Sequence, residues 1–391
     1  MKTLKKSSIL IMGNVPLPEA HPDYGKVWRH PGRWVYDQAV ALSRYSNNKV
    51  ILVTLVKGAS CDFEEISQGV RIVYLKAPAR FRLYTFFIRD IIRLLRFVGK
   101  VNPAVVHAHG TEDAYGLAVM MLKRPKVLTG QGLYCDVNKN GVSKLSPAYL
   151  LELLERFPMW SIREIIVKSK HIETVTLKYF PKLHCHIIPN TISLAFLDTQ
   201  EVDKKLMSVA FVGSISPHKG FRDLRKGLEL MDKKIELHVF GGGHDLQFIE
   251  NEIKAIELAG HDVEMHGWVD VEYLILKLSR INLLVAPSHA ESFGNQVIEG
   301  MLCLCHCVVT ESTGMAENVR KYGCGSVVSQ RSPQDIASTI LGLLDVRLLG
   351  KEMNKRRQAR ASLLAELGPE RIANELLLYY RKVLDDYRTE M

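Results

Sequence analysis

Ala286-Pro-Ser-His-Ala-Glu-Ser-Phe-Gly-Asn-Gln-Val-Ile-Glu-Gly300 is the stretch whose reading decides the fold. Just before it, Ile281-Asn-Leu-Leu-Val-Ala-Pro287 is a short apolar run that reads as a parallel strand buried on both faces. Gly294 frees the backbone for a turn, and residues 295–302 read as the opening of a helix. The turn therefore lies at the carboxyl end of a strand and the amino end of a helix, where open α/β sheets bind ligands. Unpaired N–H groups and the positive end of the helix attract phosphate there. Two carboxylates, Glu291 and Glu299, flank the turn. Glu299 follows Gly294 by about 7.5 Å along a helix axis, and its side chain leans back towards the N-terminus. One carboxylate can accept hydrogen bonds from sugar hydroxyls in the loop, and the other from a second ring across the phosphates. That layout suits a nucleotide sugar, although two glutamates standing alone would also fit solvated charges at a helix start.

Outward from this stretch the chain alternates strands and helices. Residues 8–12, 49–55, 70–75, 104–108, 126–129, 162–167 and 184–188 read as strands of a first half, with helices at 33–44 and 86–100. The loop from 13 to 32, rich in Pro, Gly, His and aromatics, is long enough to be functional or disordered. After Pro189-Asn190 the pattern restarts, with strands at 208–212 and 235–240, a strand and turn over 263–269, and strands at 281–286, near 308 and at 325–328. Helices are read at 221–230, 246–258, 295–302 and 334–344, and the last 25 or so residues read as helix. An α/β chain with two doubly wound parallel sheets follows. At 391 residues, two domains are the better expectation.

The stretch from Glu291 to Glu299 resembles the E-x7-E signature of retaining glycosyltransferases of the GT-B fold, family 4 (glycosyl transferases group 1). Glu299-Gly-Met-Leu-Cys-Leu-Cys-His-Cys-Val-Val-Thr310 is similar to that family's helix, turn and next strand, and Gly314-Met-Ala-Glu317 resembles its Gly-x-x-Glu segment. The match is patterned over about the last 190 residues and more diffuse before them. The resemblance implies two Rossmann-like domains facing across a cleft. Residues 1–193 would bind acceptor and 194–365 nucleotide sugar, with a terminal helix at 366–391 packing back on the first domain.

Site residues follow from the same resemblance. Phe211-Val-Gly-Ser-Ile-Ser-Pro-His-Lys-Gly220 resembles the donor-phosphate turn, so Gly213, Ser214 and Lys219 join Glu291, Phe293, Gly294, Asn295 and Glu299 as donor-binding residues. A lysine opening a helix beside free amides suits a diphosphate, and equally suits solvent. Relatives usually carry arginine where Ser214 stands; Arg222 is the nearby candidate to replace it. Gly241-Gly-Gly243 is a weak signal of a turn, and His266-Gly-Trp-Val269 resembles the turn near the base, unless Trp268 is core. In the first half, His107-Ala-His-Gly-Thr111 and Leu128-Thr-Gly-Gln-Gly132 resemble strand-end turns, which makes His109 and Gln131 acceptor or sugar contacts. Gly32, preceded by Pro31, aligns with the glycine loop near the leaving phosphate. Glu291, Lys219 and His109 are the expected catalytic residues.

The implied activity is transfer of a hexose-type sugar, with retention, from a nucleoside diphosphate to a glycan or lipid-linked acceptor in cell-surface polysaccharide or glycolipid biosynthesis. No Asp-x-Asp motif occurs, so no cofactor and no metal requirement is expected. Two alternatives stand: a GT-B nucleotide-sugar epimerase, and a non-catalytic nucleotide-sugar-binding homologue. Ser214, Leu304 and His306, where relatives favour Arg, Gly and Pro, keep the second open.

Seven cysteines lack a spaced framework and no signal peptide is read, so a reducing cytoplasm is expected. Cys303, Cys305 and Cys307 with His306 invite a metal reading, but alternate strand residues lie nearly 7 Å apart, too far for one ion with bonds near 2.3 Å. Residues 1–193 hold 28 Lys+Arg against 14 Asp+Glu, whereas the remainder holds 24 against 28. Within the basic half, residues 79–100 interleave Arg89, Arg93 and Arg96 with Phe86, Phe87, Ile91, Leu94 and Leu95. Such a stretch suits peripheral contact with an anionic membrane on its inner face, or an ordinary packed helix with solvated arginines. No motif supports a nucleic-acid partner, and no apolar run spans a bilayer.

Overall fold

The structure is a computed structural model that describes residues 8–27, 32–138, 143–144, 146–243, 245–311 and 313–390. It divides into two units, residues 1–191 with 369–391, and residues 192–368.

Unit 1 is built on β1 (Ser8–Met12), β2 (Lys49–Lys57), β3 (Phe63–Ser67), β4 (Val70–Ala77), β5 (Val105–His109), β6 (Lys126–Thr129), β7 (Glu164–Val167) and β8 (His184–Ile187). The sheet order is β3-β4-β2-β1-β5-β6-β7-β8, and every pairing is parallel except β3 with β4. Its helices are α1 (Trp34–Arg44), α2 (Ile88–Val101), α3 (Ala114–Met120), α4 (Tyr134–Val137), α5 (Pro147–Ser161) and α6 (Lys170–Tyr179). β1, β2 and β5 are buried along almost their whole lengths, as strands covered on both faces must be.

Unit 2 has β9 (Lys205–Val212), β10 (Glu236–Phe240), β11 (Asp262–Gly267), β12 (Ile281–Ala286), β13 (His306–Thr310) and β14 (Gly325–Val328). They form one parallel sheet in the order β11-β10-β9-β12-β13-β14. Around it lie α7 (Phe221–Glu229), α8 (Leu246–Leu258), α9 (Val271–Leu278), α10 (Asn295–Leu302), α11 (Gly314–Tyr322), α12 (Pro333–Leu343) and α13 (Val346–Leu367). α14 (Pro369–Glu390) belongs to unit 1 and packs on α1. A proline at the first position starts it, since the missing N–H would be unpaired there anyway. The terminal helix thus begins at Pro369, three residues beyond the expected 366.

The long loop after β1 is tied to the sheet edge where it is described. His21 is buried edge-on against Phe63 (5.2 Å) and Tyr74 (5.9 Å), and Asp23 accepts from Ser60 N at 2.8 Å. Residues 28–31, Pro31 among them, lie outside the described residues. The helix expected from residue 86 begins at Ile88; Phe81, Phe86 and Phe87 before it all have positive φ, close to 50–60°.

Candidate functional site

In each sheet the winding reverses at one pair of strands, and ligands bind outside the carboxyl ends of such a pair. In unit 2 the pair is β9 and β12. The turn after β9 is laced to the triple-glycine turn after β10: Gly213 N donates to Phe240 O and Ile215 N to Gly242 O, both at 2.8 Å. A 3-10 turn, Pro217–Lys219, then delivers Lys219 to the start of α7. Gly220 makes this approach possible. Its φ is +73°, and a Cβ there would stand 1.9 Å from the Pro287 carbonyl oxygen, so the two loops meet backbone to backbone.

That contact joins residues 72 positions apart: Lys219 Nζ donates to Glu291 Oε2 at 2.5 Å. The side chains are 23% and 15% exposed, so the pair is shielded but reachable. Glu291 is fixed from three further sides. Ser292 N donates to Oε1 and Gln296 Nε2 to Oε2, both at 3.3 Å, while the Glu291 carbonyl accepts from Gly314 N at 2.9 Å. His289 braces the same loop through its N–H to His218 O (2.8 Å) and its Nε2 to Asp223 Oδ2 (2.6 Å). Phe293 is buried, and Gly294 sits at φ +76° where a Cβ would strike Met315 Cγ at 2.1 Å. Asn295 opens α10 and Glu299 follows one turn later, half-buried.

Ser214 is half-buried on the first loop. Arg222, the candidate to replace the missing arginine, is turned to Glu252: its Nε donates there at 3.1 Å and its guanidinium lies 5.0 Å over Phe248. The buried Ser216 Oγ, by contrast, has no hydrogen-bond partner among the described residues. A serine in a Ser-Ile-Ser-Pro turn carries no distinctive signal in the sequence. Trp268 is not core; it is 52% exposed and stands beside Gly242.

Leu304 and His306, which depart from the family pattern, belong to the other end of β13. Leu304 is buried with φ +61°, and its carbonyl accepts from Arg356 Nη1 at 3.2 Å. His306 Nε2 meets Ser326 Oγ at 2.8 Å; burial, then the Arg356 charge, lowers its pKa to about 4. From His306 to Thr310, whose hydroxyl donates to Ser288 O beside the Glu291 loop, the strand runs about 13 Å. These departures concern how α13 seats on the sheet.

In unit 1 the reversal lies between β1 and β5. His109 ends β5 and is buried, stacked on His107 at 4.4 Å. Gln38 Nε2 lies 3.1 Å from its Nε2 and Gln131 Nε2 lies 3.0 Å from its Nδ1. Burial, then the charges of His107 and Lys168, holds its pKa well below the usual range. A neutral imidazole has one donor and one acceptor, so one of the two amides turns its oxygen to the ring. His107 is bonded to Thr129 Oγ1 and Tyr380 Oη, both at 2.6 Å, which ties α14 into the network. The glycine against His109 is Gly13, whose Cβ would stand 3.1 Å from the His109 Cβ; Gly32 instead lies under the Trp34 ring.

Three charged groups here had no place in the sequence reading. Lys168, buried just past β7, has no hydrogen-bond partner for Nζ among the described residues, and burial lowers its pKa to about 7. Burial raises Glu155 to about 7 and, with Glu112 nearby, Asp113 to about 8. Glu155 accepts from Thr111 Oγ1 (3.0 Å) and Tyr134 N (3.1 Å) and so anchors the turn after β5.

Two family models together cover residues 31–361: Glycosyltransferase Family 4 matches residues 31–196 and Glycosyl transferases group 1 matches residues 197–361. The chain belongs to the family 4 glycosyltransferases of the GT-B fold. An uncharacterized glycosyltransferase of Methanocaldococcus jannaschii is 28% identical over 153 residues, 37% of this chain and 42% of that protein. The GDP-Man:Man(3)GlcNAc(2)-PP-Dol alpha-1,2-mannosyltransferase of Caenorhabditis elegans is 26% identical over 193 residues, 43% of this chain and 40% of that protein. The matches thus span less than half the length of these curated relatives. Sucrose-phosphate synthase from Thermosynechococcus elongatus shares the fold with a TM-score of 0.77 and 17% identity, covering 97% of this chain and 100% of that one.

Gly220 offers a direct check on the loop closure. Gly220→Ala places a methyl group into the Pro287 carbonyl and an L-residue at positive φ, the latter alone worth about 1–2 kcal/mol. A clear fall in melting temperature is expected by calorimetry; an unchanged melting temperature would mean that the two loops do not meet this way.

Proposed function

We propose that this protein is a retaining glycosyltransferase that moves a hexose-type sugar from a nucleoside diphosphate to a glycan or lipid-linked acceptor. The Lys219–Glu291 pair carries the reading, because it sets a cation and a carboxylate together at the strand reversal and beside the amino end of α10. A diphosphate entering there competes with Glu291 for Lys219 and gains backbone amides. Glu291, released from the lysine, is then an acceptor for a sugar hydroxyl, and Glu299 one for the ribose. As the C1–O bond to the diphosphate breaks, Lys219 and the helix amino end stabilise the leaving charge. The acceptor oxygen bonds C1 on the same face, and its proton passes to the leaving phosphate oxygen, so no side-chain base is assigned. Neutral His109 with Gln131 would orient sugar or acceptor hydroxyls in unit 1. Ser216 Oγ is an additional donor towards phosphate.

A thermal-shift series with UDP, GDP, ADP and their sugars identifies the donor; stabilisation by none of them would count against the whole reading. Incubating labelled donor without acceptor separates transfer from epimerisation, because an epimerase converts the sugar unaided.

The lipid-linked alternative for the acceptor rests on unit 1 and on the mannosyltransferase relative, whose name specifies a PP-Dol acceptor. No helix among the described residues is long and apolar enough to cross a membrane. Around the start of α2, however, Phe81, Tyr84, Phe86, Ile88 and Ile92 are exposed beside exposed Arg80, Arg89 and Arg96. Arg93, grouped with these by spacing, instead pairs with Asp62. Each basic residue at an anionic surface contributes about 1 kcal/mol, so replacing Arg80, Arg89 and Arg96 by Gln should weaken association by about two decades. Sedimentation with phosphatidylserine vesicles at low and high salt measures this; equal binding by the triple variant would make a soluble acceptor the better reading.

A further inference from the structure

We infer that unit 2 carries a divalent-metal site, suited to zinc, formed by His238, Glu264 and His266 on the outer strands β10 and β11. This lies outside the glycosyl-transfer reading and does not depend on it.

Strand register brings the three together. His238 pairs directly with Glu264, and the register then slips, Val239 opposite Met265 but Phe240 opposite Gly267, which leaves His266 as the extra residue of a bulge. The ligating atoms converge: His238 Nδ1 lies 3.1 Å from His266 Nε2 and 3.1 Å from a Glu264 oxygen, and all three fall within 4.8 Å of one another. A tetrahedral ion with bonds of about 2.0–2.1 Å holds its ligands about 3.3 Å apart. The two rings lie within 15° of parallel, and rotation of the His238 ring about its Cβ–Cγ bond, with His266 kept on Phe240, converts the nitrogen-to-nitrogen contact into shared coordination.

The outer groups match what metal-bound histidines require, a partner for the nitrogen that faces away. His266 Nδ1 lies 3.2 Å from Tyr273 Oη, nearer than the 3.6 Å to the second Glu264 oxygen, and its ring is held flat on Phe240 at 4.3 Å and 4°. His238 Nε2 lies 3.5 Å from a Glu236 oxygen. A cation bound here would take a lone pair from each inward nitrogen and from one carboxylate oxygen. Lys277 bonds the other Glu264 oxygen at 3.1 Å, and Lys205 pairs with Glu236. The histidine side chains are buried while that of Glu264 is 45% exposed, so the ion enters past the carboxylate and water completes its shell. Two imidazoles and one carboxylate favour zinc among common ions. A bound ion would pin the edge strand β11 to β10 and hold the turn that carries Trp268.

Calorimetric titration of metal-stripped protein with zinc chloride tests this. Wild type should take up one equivalent that the His238→Ala/His266→Ala double variant loses, and Tyr273→Phe should weaken uptake by about 10–100-fold. Should the double variant misfold, Tyr273→Phe and cobalt loading of wild type decide instead. Cobalt at this site gives the visible bands of a nitrogen–oxygen set without a thiolate charge-transfer band. No uptake by wild type, uptake undiminished in either variant, or a thiolate band would each overturn the proposal; the first would leave a proton shared between the two rings.

Discussion

Lys219→Ala is expected to lower affinity for the matching nucleoside diphosphate by one to two decades, while leaving that for the nucleoside unchanged. The lysine is the cation that the structure holds between the β9 and β12 loops, and a hydrogen bond between charged groups is worth about 1.5–3 kcal/mol. Arg222 is held by Glu252, so a loss confined to the diphosphate is expected to remain uncompensated. Calorimetry with nucleoside and nucleoside diphosphate side by side reads the difference directly. Equal losses for both ligands would move the phosphate site away from Lys219.

Replacing the two glutamates should give opposite results on free nucleotide. Glu299→Ala weakens nucleotide and nucleotide sugar alike, by about tenfold or more if it bonds the ribose. Glu291→Gln removes the negative partner of Lys219 and frees that cation for phosphate. Affinity for the diphosphate alone should therefore rise, by up to about fivefold if the pair is worth about 1 kcal/mol, even as turnover falls by tenfold or more. A purely structural Glu291 would lose binding and turnover together. Should Glu291→Gln and Glu299→Ala both weaken free nucleotide equally, the division between sugar and ribose contacts is wrong.

The sequence made the sheet-and-helix alternation legible because buried parallel strands are continuous apolar runs, as in residues 281–286 and 49–55. It hid β3, whose Phe-Glu-Glu-Ile-Ser pattern is that of a short, half-exposed edge strand with too few residues to stand out. Of the candidate site, the turn chemistry around Lys219 and Glu291 could be read locally, since glycines and strand ends mark it. Their mutual contact could not, because it depends on a glycine accepting a carbonyl 67 residues further along the chain. His109 was legible as a strand-end residue, but the amides of Gln38 and Gln131 that hold it come from a different helix and a different strand end. The cluster of His238, Glu264 and His266 was invisible for a stricter reason: a parallel pairing and a one-residue slip in it must both be known before the three share a face.

The division of unit 1 into two chain segments governs how the protein is made. Residues 192–368 form a continuous unit, whereas the first 191 residues are completed by α14, whose Tyr380 bonds His107 and which packs on α1. At about 5–20 residues per second, a ribosome reaches α14 roughly 9–36 s after residue 191. Through that interval the flank of α1 that α14 covers lacks its partner. Unit 2 can finish folding on the ribosome before unit 1 does, and until α14 emerges the uncovered α1 flank is open to chaperones and proteases.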